Sequence, residues 1–349
     1  MIKKCLFPAA GYGTRFLPAT KAIPKEMLPV NAKPLIQYGI EEALNAKCGT
    51  MAIVTGRGKR AIEDHFDASY ELEAQLKDAK KEHFLQDIND IIANCTFTYT
   101  RQKAMRGLGD AILTGESLIG GEAFGVILAD DLCINENGNG VLAQMAELYA
   151  KYRCAIVAIM EVPKNELNKY GVIDGIEIEE GIFEIKSMIE KPEPKDAPSN
   201  LAVIGRYILT PDIFSILRYT KPDKKGEIQI TDALNKQAQI SRVLAYKFKG
   251  IRYDCGSVEG FVRANNELFY ADSAKTFPSL ADKYPTPTPP ARRGAYIDSP
   301  TFADGARGRV SVQDSVKKPK ADSVNRNSKH RIAKKSVDSA KNPTSKAKR

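Results

Sequence analysis

The sequence contains no tryptophan and only three histidines among 349 residues. His65, His83 and His330 form neither an HExxH motif nor an obvious catalytic triad. A zinc protease and a triad hydrolase are therefore not indicated, and we predict that the histidines are solvated surface residues.

The six cysteines are scattered, and no two of them form a CxxC pair. The chain is also too long for a small domain held together by disulfides. Reduced, mostly buried cysteines are therefore favoured over a zinc site or disulfides, as in a cytoplasmic protein. They are Cys5, Cys48, Cys95, Cys133, Cys154 and Cys255.

Long hydrophobic runs are missing as well. A membrane-spanning helix needs about 20 apolar residues, and no segment of the chain approaches that length. The apolar stretch that follows Met1-Ile2-Lys3-Lys4 is too short for a signal peptide. We expect no membrane association and a cytoplasmic location.

The positive charge is confined to one end of the chain. The formal net charge is +9, but residues 283–349 carry +12 and residues 1–282 carry −3. Net charge therefore gives no reason to expect nucleic acid bound to the body, and that question stays open for the basic end.

The basic end also has little apolar content. Leu, Ile, Val and Phe together number only 8 in the 67 residues from Lys283 to Arg349. A proline-rich run over 284–290 precedes a Lys/Ser-rich segment. We predict a folded domain over 1–278 and a disordered tail over 279–349.

The body alternates short apolar strands with amphipathic helices. Residues 125–129 read as a strand, 141–152 as a helix and 155–160 as the next strand, and 62–92 reads as a charged helical stretch. This rhythm predicts an α/β, Rossmann-like fold with a mixed, mostly parallel central sheet flanked by helices. Shorter strands after Pro163, at 171–174 and 176–178, indicate an added small β region.

A glycine-rich loop after the first strand has the composition of a phosphate cradle. Gly11 and Gly13 let backbone N–H groups approach an anion, while Thr14, Arg15 and Lys25 add a hydroxyl and two cations. The loop is not GxxxxGK[ST] and lacks the third glycine of GxGxxG, so neither a Walker loop nor a dinucleotide fold is indicated.

The segment GYGTRFLPATKAIPKEMLP, residues 11–29, resembles the signature of the sugar nucleotidyltransferases. Among them it is most similar to the bacterial UTP:glucose-1-phosphate uridylyltransferases. Further blocks resemble the family in the family's order, among them Glu190-Lys191-Pro192, 226–233 and Asp254-Cys255-Gly256. The resemblance covers about residues 3–270 and excludes the tail.

The resemblance implies transfer of a uridylyl group from UTP to α-D-glucose 1-phosphate, which gives UDP-glucose and pyrophosphate. It implies Mg²⁺ as the cofactor, a nucleotide-binding half over about 1–135 and a sugar-phosphate half over about 136–278. It also implies a homo-oligomer. An oxygen of the sugar phosphate would attack the α-phosphorus directly, so no side-chain nucleophile is needed.

The resemblance also assigns the site residues. Arg15 would hold the departing pyrophosphate, Lys25 the triphosphate and Lys191 the sugar phosphate. The predicted nucleotide-binding residues are Ala10, Gly11, Gly13, Thr14, Gln102 and Gly107. The predicted sugar-binding residues are Gly171, Glu190, Lys191 and Asn200.

Two carboxylates are the predicted metal ligands. Asp130 follows the strand 125–129, Asp254 follows the short stretch Ile251-Arg252-Tyr253, and family resemblance places both on the metal positions. The family usually has proline before the first of them and an apolar residue after it, whereas this chain has Ala129 and Asp131. Asp131 could be a further ligand or could point away.

Two other functions are compatible with the residues. One is a different sugar-1-phosphate nucleotidyltransferase such as a thymidylyltransferase, because thymine differs from uracil by one methyl group, which a pocket discriminates weakly. The other is a non-catalytic binding module of the same fold. The complete set of predicted catalytic cations and carboxylates argues against the module.

Overall fold

The computed structural model describes residues 1–136 and 138–276, with side chains as far as residue 271. These residues fall within one unit of the chain, 1–289. The strands are β1 (Lys4–Pro8), β2 (Pro29–Val30), β3 (Lys33–Pro34), β4 (Thr50–Thr55), β5 (Thr96–Arg101), β6 (Phe124–Ile127), β7 (Asp131–Ile134), β8 (Ala155–Glu161), β9 (Gly171–Glu179), β10 (Ile182–Glu190), β11 (Leu201–Leu209), β12 (Val243–Lys247) and β13 (Ile251–Asp254).

Helices connect most of these strands. They are α1 (Leu35–Asn45), α2 (Arg60–Phe66), α3 (Tyr70–Asp78), α4 (Gln86–Asn94), α5 (Gly107–Thr114), α6 (Glu116–Ile119), α7 (Val141–Tyr152), α8 (Asp212–Arg218), α9 (Ile230–Ile240) and α10 (Val258–Thr276).

Nine strands form one mixed sheet in the order β5-β4-β1-β6-β11-β8-β12-β10-β9. The strands β5, β4, β1 and β6 run parallel, and β11 is antiparallel to both β6 and β8. Two apolar cores cover the two faces, one around Phe7 and Ile36 and the other around Leu6 and Phe124. The predicted mixed α/β sheet is confirmed.

The order in which strands are added to the sheet reverses at β1. The strand β4 lies on one side of β1, and β6 lies on the other. The carboxyl ends of β1 and β6 therefore meet at a topological switch point, which is where open α/β sheets bind ligands. The glycine-rich loop follows β1, and Asp130 follows β6.

A two-stranded antiparallel ribbon, β7 with β13, lies outside the main sheet. Its register pairs Asp131 with Asp254 and Cys133 with Arg252. The ribbon therefore brings the chain segment after β6 next to a segment more than a hundred residues further on. Sequence patterning did not identify β7 or β12 as strands, because each is short and lacks a clear alternation.

Some predicted element boundaries are wrong. The helical stretch predicted over 62–92 is divided into α2, α3, a 3₁₀ turn at Glu82–Leu85 and α4. Lys80, two residues after the end of α3, has φ of 56°, a left-handed conformation that a right-handed helix cannot contain. The two strands predicted at 171–174 and 176–178 are the single strand β9, which has a register irregularity against β10. The predicted tail, 279–349, lies outside the described residues.

The cysteine prediction is confirmed, since all six are free and four of them are buried. The histidine prediction is half right. His83 is exposed, but His65 is half-buried with Nε2 2.9 Å from Oε1 of Gln37, and burial lowers its pKa. His330 lies outside the described residues. Within the described part of the chain, no helix is long and apolar enough to cross a membrane.

Candidate active site

The glycine-rich loop is held in shape by its own short contacts. Gly13 has φ of 66°, which is accessible to glycine at little cost, and a Cβ there would lie 2.9 Å from Cβ of Lys25. The hydroxyl of Thr20 donates to the carbonyl of Gly13 over 2.7 Å. Glycine at this position therefore allows the loop to fold back onto the lysine.

Lys25 and Asp130 form an ion pair that joins the segment after β1 to the loop after β6. Nζ of Lys25 lies 2.6 Å from Oδ2 of Asp130, and each side chain is about a fifth to a quarter exposed, at 22% and 24%. Burial disfavours the charged form of both side chains. The attraction between the two opposite charges is stronger than this effect, so the pKa of Lys25 is raised and that of Asp130 is lowered. Both groups are ionised at neutral pH.

The carboxylates of Asp130 and Asp254 both border the space that a side chain at position 256 would occupy. A Cβ on Gly256 would lie 2.9 Å from Oδ2 of Asp130 and 3.1 Å from Oδ1 of Asp254. Two carboxylates that are distant in sequence, one in the loop after β6 and one at the end of β13, thus share a small space left free by a glycine. No cluster of three or more potential metal ligands occurs in residues 1–136 and 138–276.

Arg15 lies beside the same space. Its Nη1 donates to the carbonyl of Gly256 over 3.2 Å, and the same nitrogen would be 3.4 Å from a Cβ on Gly256. The side chain is otherwise exposed. The structure therefore brings together Arg15, Lys25, Asp130 and Asp254, all four of them predicted from the sequence.

Asp131 points away from this space. One of its oxygens accepts from the backbone N–H of Gly205 over 2.6 Å, and the other accepts from Nε of Arg252. Its side chain is 7% exposed. Of the two alternatives left open for this departure from the family pattern, the geometry favours a structural ion pair over a metal ligand.

One pocket opens from the cluster toward β5 and α5, with a volume of about 400 Å³. Gln102 is buried there, and its Nε2 donates to Oδ2 of Asp110 over 2.7 Å, which leaves Oε1 as the acceptor available to a ligand. Gly107 has φ of 88° and packs against Glu227 and Ile228. All six predicted nucleotide-binding residues line this pocket: Ala10, Gly11, Gly13, Thr14, Gln102 and Gly107.

A second pocket, of about 690 Å³, opens on the other side of Asp130, which lines both. Gly171, Glu190 and Lys191 lie on its wall. Oε2 of Glu190 accepts from the hydroxyl of Thr231 over 2.7 Å, and Oε1 lies 2.8 Å from Nζ of Lys191.

Lys191 has an unusual backbone. Its φ of 46° is left-handed, which costs about 1–3 kcal/mol for a residue with a side chain and is found preferentially at functional sites. The backbone N–H of Lys191 donates to the carbonyl of Tyr170 over 2.9 Å and so fixes this conformation. The side chain is 52% exposed and directed by Glu190.

Asn200 is the predicted sugar-binding residue that does not join this group. It is exposed and lines a separate depression with Pro163, Lys195 and Pro198. Its carbonyl accepts from the N–H of Val162, so the segment serves to join β11 to the end of β8. The prediction for Asn200 is not supported by this arrangement.

Among the polar residues on the wall of the second pocket, Thr231 and Arg252 had no role assigned from the sequence, and Tyr170 was expected to contribute only its backbone. Tyr170 and Thr231 stand in or beside segments that resemble the family, which was the available signal. Arg252 had a weaker one, since it lies two residues before Asp254 and therefore on the same face of a strand.

A buried ion pair supports the loop from behind. Nζ of Lys59 lies 2.6 Å from Oε2 of Glu26, and the two side chains are 5% and 1% exposed. Burial raises the pKa of Glu26 although Lys25 and Lys59 lie beside it. Its Oε1 has no hydrogen-bond partner in the described part of the chain.

These features define a phosphate-handling site at the switch point of an α/β sheet. Residues 6–270 match the sequence family described as nucleotidyl transferase. The chain belongs to this family.

The relatives narrow the class further. The chain is 65% identical to a UTP–glucose-1-phosphate uridylyltransferase of Pseudomonas aeruginosa over 273 residues, which are 77% of this chain and 98% of the relative. It is 66% identical over 266 residues to the enzyme of that name from P. aeruginosa strain PAO1, covering 76% of this chain and 95% of the relative.

Solved structures agree with the sequence comparison. The fold is similar to a crystal structure of a UDP-glucose pyrophosphorylase complexed with UDP-glucose, with a TM-score of 0.74 and 64% identity. The match covers 78% of this chain and all of that one, at 100%. The family match ends at residue 270, before the basic end at residues 283–349.

Proposed function

We propose that the protein transfers a uridylyl group from UTP to α-D-glucose 1-phosphate, with release of pyrophosphate. The observation that carries the proposal is the pair of pockets that share Asp130, one lined by every predicted nucleotide-binding residue and the other by Lys191. The 65% identity to a uridylyltransferase over nearly the whole relative supports these substrates.

The smaller pocket would hold the nucleotide. Oε1 of Gln102 is free to accept from the single N–H of uracil, since its amide nitrogen is used by Asp110. Gly107 and the backbone of Ala10 and Gly11 would contact the base and ribose. The loop at Gly13 and Thr14 would present backbone N–H groups to the phosphates.

The residues present fit a magnesium ion. Mg²⁺ is usually held by one or two carboxylates together with substrate phosphates, and Asp130 and Asp254 provide two carboxylates around a space that a Cβ on Gly256 would fill. When bound there, the ion would offset charge on the phosphate oxygens. We infer that these two aspartates are its protein ligands.

The larger pocket would hold the sugar phosphate. Lys191 would pair with its phosphate, and Glu190 would accept from sugar hydroxyls. Gly171 leaves room for the sugar, because a Cβ there would lie 3.0 Å from the hydroxyl of Thr231 and 3.3 Å from Oε2 of Glu190. Asn200 lies outside this pocket and is not among the proposed contacts.

The reaction requires that two anionic substrates meet and that a third anion, pyrophosphate, leaves. A phosphate oxygen of glucose 1-phosphate forms a bond to the α-phosphorus of UTP, and the bond from that phosphorus to the oxygen bridging the β-phosphorus breaks. Lys25 lines the smaller pocket and pairs with Asp130, so it would offset charge on the α-phosphate, while Arg15 would hold the pyrophosphate. Side chains position and neutralise the reactants, and none is modified.

An activity panel tests this proposal. Purified protein is incubated with Mg²⁺ and each combination of UTP or dTTP with glucose 1-phosphate or another sugar 1-phosphate. We expect UDP-glucose and pyrophosphate from UTP and glucose 1-phosphate. A preference for dTTP would instead favour a thymidylyltransferase, and the absence of any product would contradict catalysis by this fold.

Asp130→Asn tests the metal assignment within the same assay. The change removes a charged ligand at constant size, so turnover should fall by about 100-fold or more while the thermal midpoint changes little. Asp174→Asn, at an exposed position on β9, is the matched control and should retain full activity. Near-normal turnover of Asp130→Asn would place the metal elsewhere.

We further propose that the protein forms a homo-oligomer in the cytoplasm. The six free cysteines support a reducing compartment. Light scattering of the purified protein would give the mass in solution, and a monomeric mass would contradict the first part.

A further inference from the structure

We propose that Arg252 is a positioning residue that joins the β7–β13 ribbon, which carries Asp254 and directly follows Asp130, to the chain segment that would hold the sugar phosphate. The inference depends on the proposed function, because it assigns a role within the same reaction. It rests on three observations about the contacts of Arg252.

The first observation concerns charge on the ribbon. Asp131 and Asp254 are direct cross-strand partners, so their side chains share one face, and like charges in that relation repel. Arg252 is two residues before Asp254 and lies on the same face. Its Nε pairs with Asp131, which removes the repulsion and leaves Asp254 free to face Asp130.

The second observation is that Asp131 is fixed in its place. Its other oxygen accepts from Gly205 on β11, and a Cβ at position 205 would lie 2.8 Å from that oxygen. The ion pair between Asp131 and Arg252 is thus anchored to the central sheet. The side chain of Arg252 is only 10% exposed, so it has one preferred position.

The third observation is the link to the second pocket. Nη1 of Arg252 donates to the hydroxyl of Tyr170 over 3.1 Å, and the guanidinium lies 5.2 Å from the centre of the Tyr170 ring. The carbonyl of Tyr170 accepts the N–H of Lys191 and so supports its left-handed backbone. Arg252 therefore acts on Lys191 through Tyr170.

Tyr170→Phe is the mildest test, because it removes one hydroxyl and keeps the ring. Calorimetric titrations with UDP-glucose and with UTP are compared, alongside the steady-state constants. We expect UDP-glucose to bind about 5- to 10-fold more weakly, UTP to bind within about twofold of wild type, and the KM for glucose 1-phosphate to rise in parallel. Tyr246→Phe on β12, which removes a hydroxyl that donates to Gln144 of α7, is the matched control and should change the affinity for neither ligand.

A double variant separates positioning from stability. Asp131→Leu/Arg252→Met replaces the buried pair with apolar groups, which often restores stability. We expect a thermal midpoint close to wild type but UDP-glucose binding weakened at least as much as in Tyr170→Phe. A double variant that binds UDP-glucose normally, or a Tyr170→Phe variant that weakens both ligands equally, would overturn the proposal.

The binding measurements also distinguish this proposal from the proposed function. A wild-type protein that forms no UDP-glucose from UTP would contradict the function. A selective effect of Tyr170→Phe on UDP-glucose binding would still support the positioning role, and no effect in an active enzyme would overturn that role alone.

Discussion

At the scale of single residues, the candidate site depends on glycines, which lack a side chain, as much as on charged residues. Gly256 leaves open the space between Asp130 and Asp254, and Gly13 lets the phosphate loop close on Lys25. Sequence resemblance pointed to both carboxylates and to the lysine. It did not show that a glycine two residues after Asp254 keeps their common space free.

Gly256→Ala should impair metal binding without unfolding the protein. The new methyl group would lie about 3 Å from both carboxylate oxygens, at 2.9 and 3.1 Å, where a bound ion would be. We expect the Mg²⁺ concentration for half-maximal activity to rise at least about tenfold and turnover to fall by about 100-fold. Activity measured across a magnesium titration gives both values.

The matched control for this change is Gly121→Ala, because no atom lies within 4 Å of the added Cβ and the backbone does not require glycine. It should leave the magnesium titration unchanged. A Gly256→Ala enzyme with normal magnesium dependence would show that the ion does not lie between the two carboxylates.

The buried pair of Glu26 and Lys59 gives a pH-dependent prediction. Lys59→Met leaves Glu26 without its partner in a buried place, which should cost about 3–5 kcal/mol of unfolding free energy near pH 8. Burial already raises the pKa of Glu26 above its ordinary value, and loss of Lys59 raises it further. The folded variant therefore binds more protons than the unfolded chain between those two pKa values, so its stability increases as pH falls.

Urea unfolding of wild type and Lys59→Met at pH 8 and pH 5 measures this effect. The difference in unfolding free energy between the two proteins should be smaller at pH 5. In the background of Glu26→Gln the pH dependence of that difference should disappear. An equal difference at both pH values, with Glu26 present, would mean that Glu26 does not titrate in this range.

At the scale of elements, predictions succeeded where the pattern was local and long enough. The helix predicted over 141–152 coincides with α7, and the alternation of strands and helices gave the α/β sheet. The division of 62–92 into shorter helices was missed, because its charged residues favour helix throughout and the breaks depend on packing. The β7–β13 ribbon was missed since strands of four residues carry little periodic signal.

The contact between α5 and the segment before α9 fixes the nucleotide pocket. The N–H of Gly109 donates to the carbonyl of Ile228 over 2.8 Å, and a Cβ at position 109 would lie 2.7 Å from that oxygen. Any side chain there must push α5 away, together with Gly107 and Asp110. The position of Gln102, which bonds to Asp110, depends on this contact.

Gly109→Ala should therefore affect UTP more than glucose 1-phosphate. We expect a loss of about 1–3 kcal/mol in stability and a rise of about fivefold or more in the KM for UTP, with the KM for glucose 1-phosphate within about twofold. Gly49→Ala, where the added Cβ meets no atom within 4 Å, is the control. Equal increases in both constants would indicate a general loss of structure in place of a local shift of α5.

At the scale of the whole molecule, resemblance predicted more of the site than physical patterning did. The four charged residues around the proposed metal site come from segments near 15, 25, 130 and 254, and topology alone brings them together. Patterning could place each after a strand but could not give their mutual geometry. Asn200 is the exception, because it belongs to a segment that resembles the family but lines a depression separate from the second pocket.

The charge distribution of the whole chain gives the last prediction. Residues 1–282 carry −3 and residues 283–349 carry +12, while the family match ends at residue 270. The proposed catalytic residues all precede residue 276, so a protein ending there should keep its turnover number and both KM values within about twofold of the full chain. Its thermal midpoint should also be unchanged.

The two proteins should differ in their affinity for polyanions. The full chain should elute from a heparin column at a higher salt concentration than the shortened one, because released counterions make binding of the basic segment strongly salt-dependent. Elution at the same salt would show that the basic segment offers no such surface. Loss of activity on shortening, with the thermal midpoint retained, would instead give residues beyond 276 a part in catalysis that the charge and family comparisons do not predict.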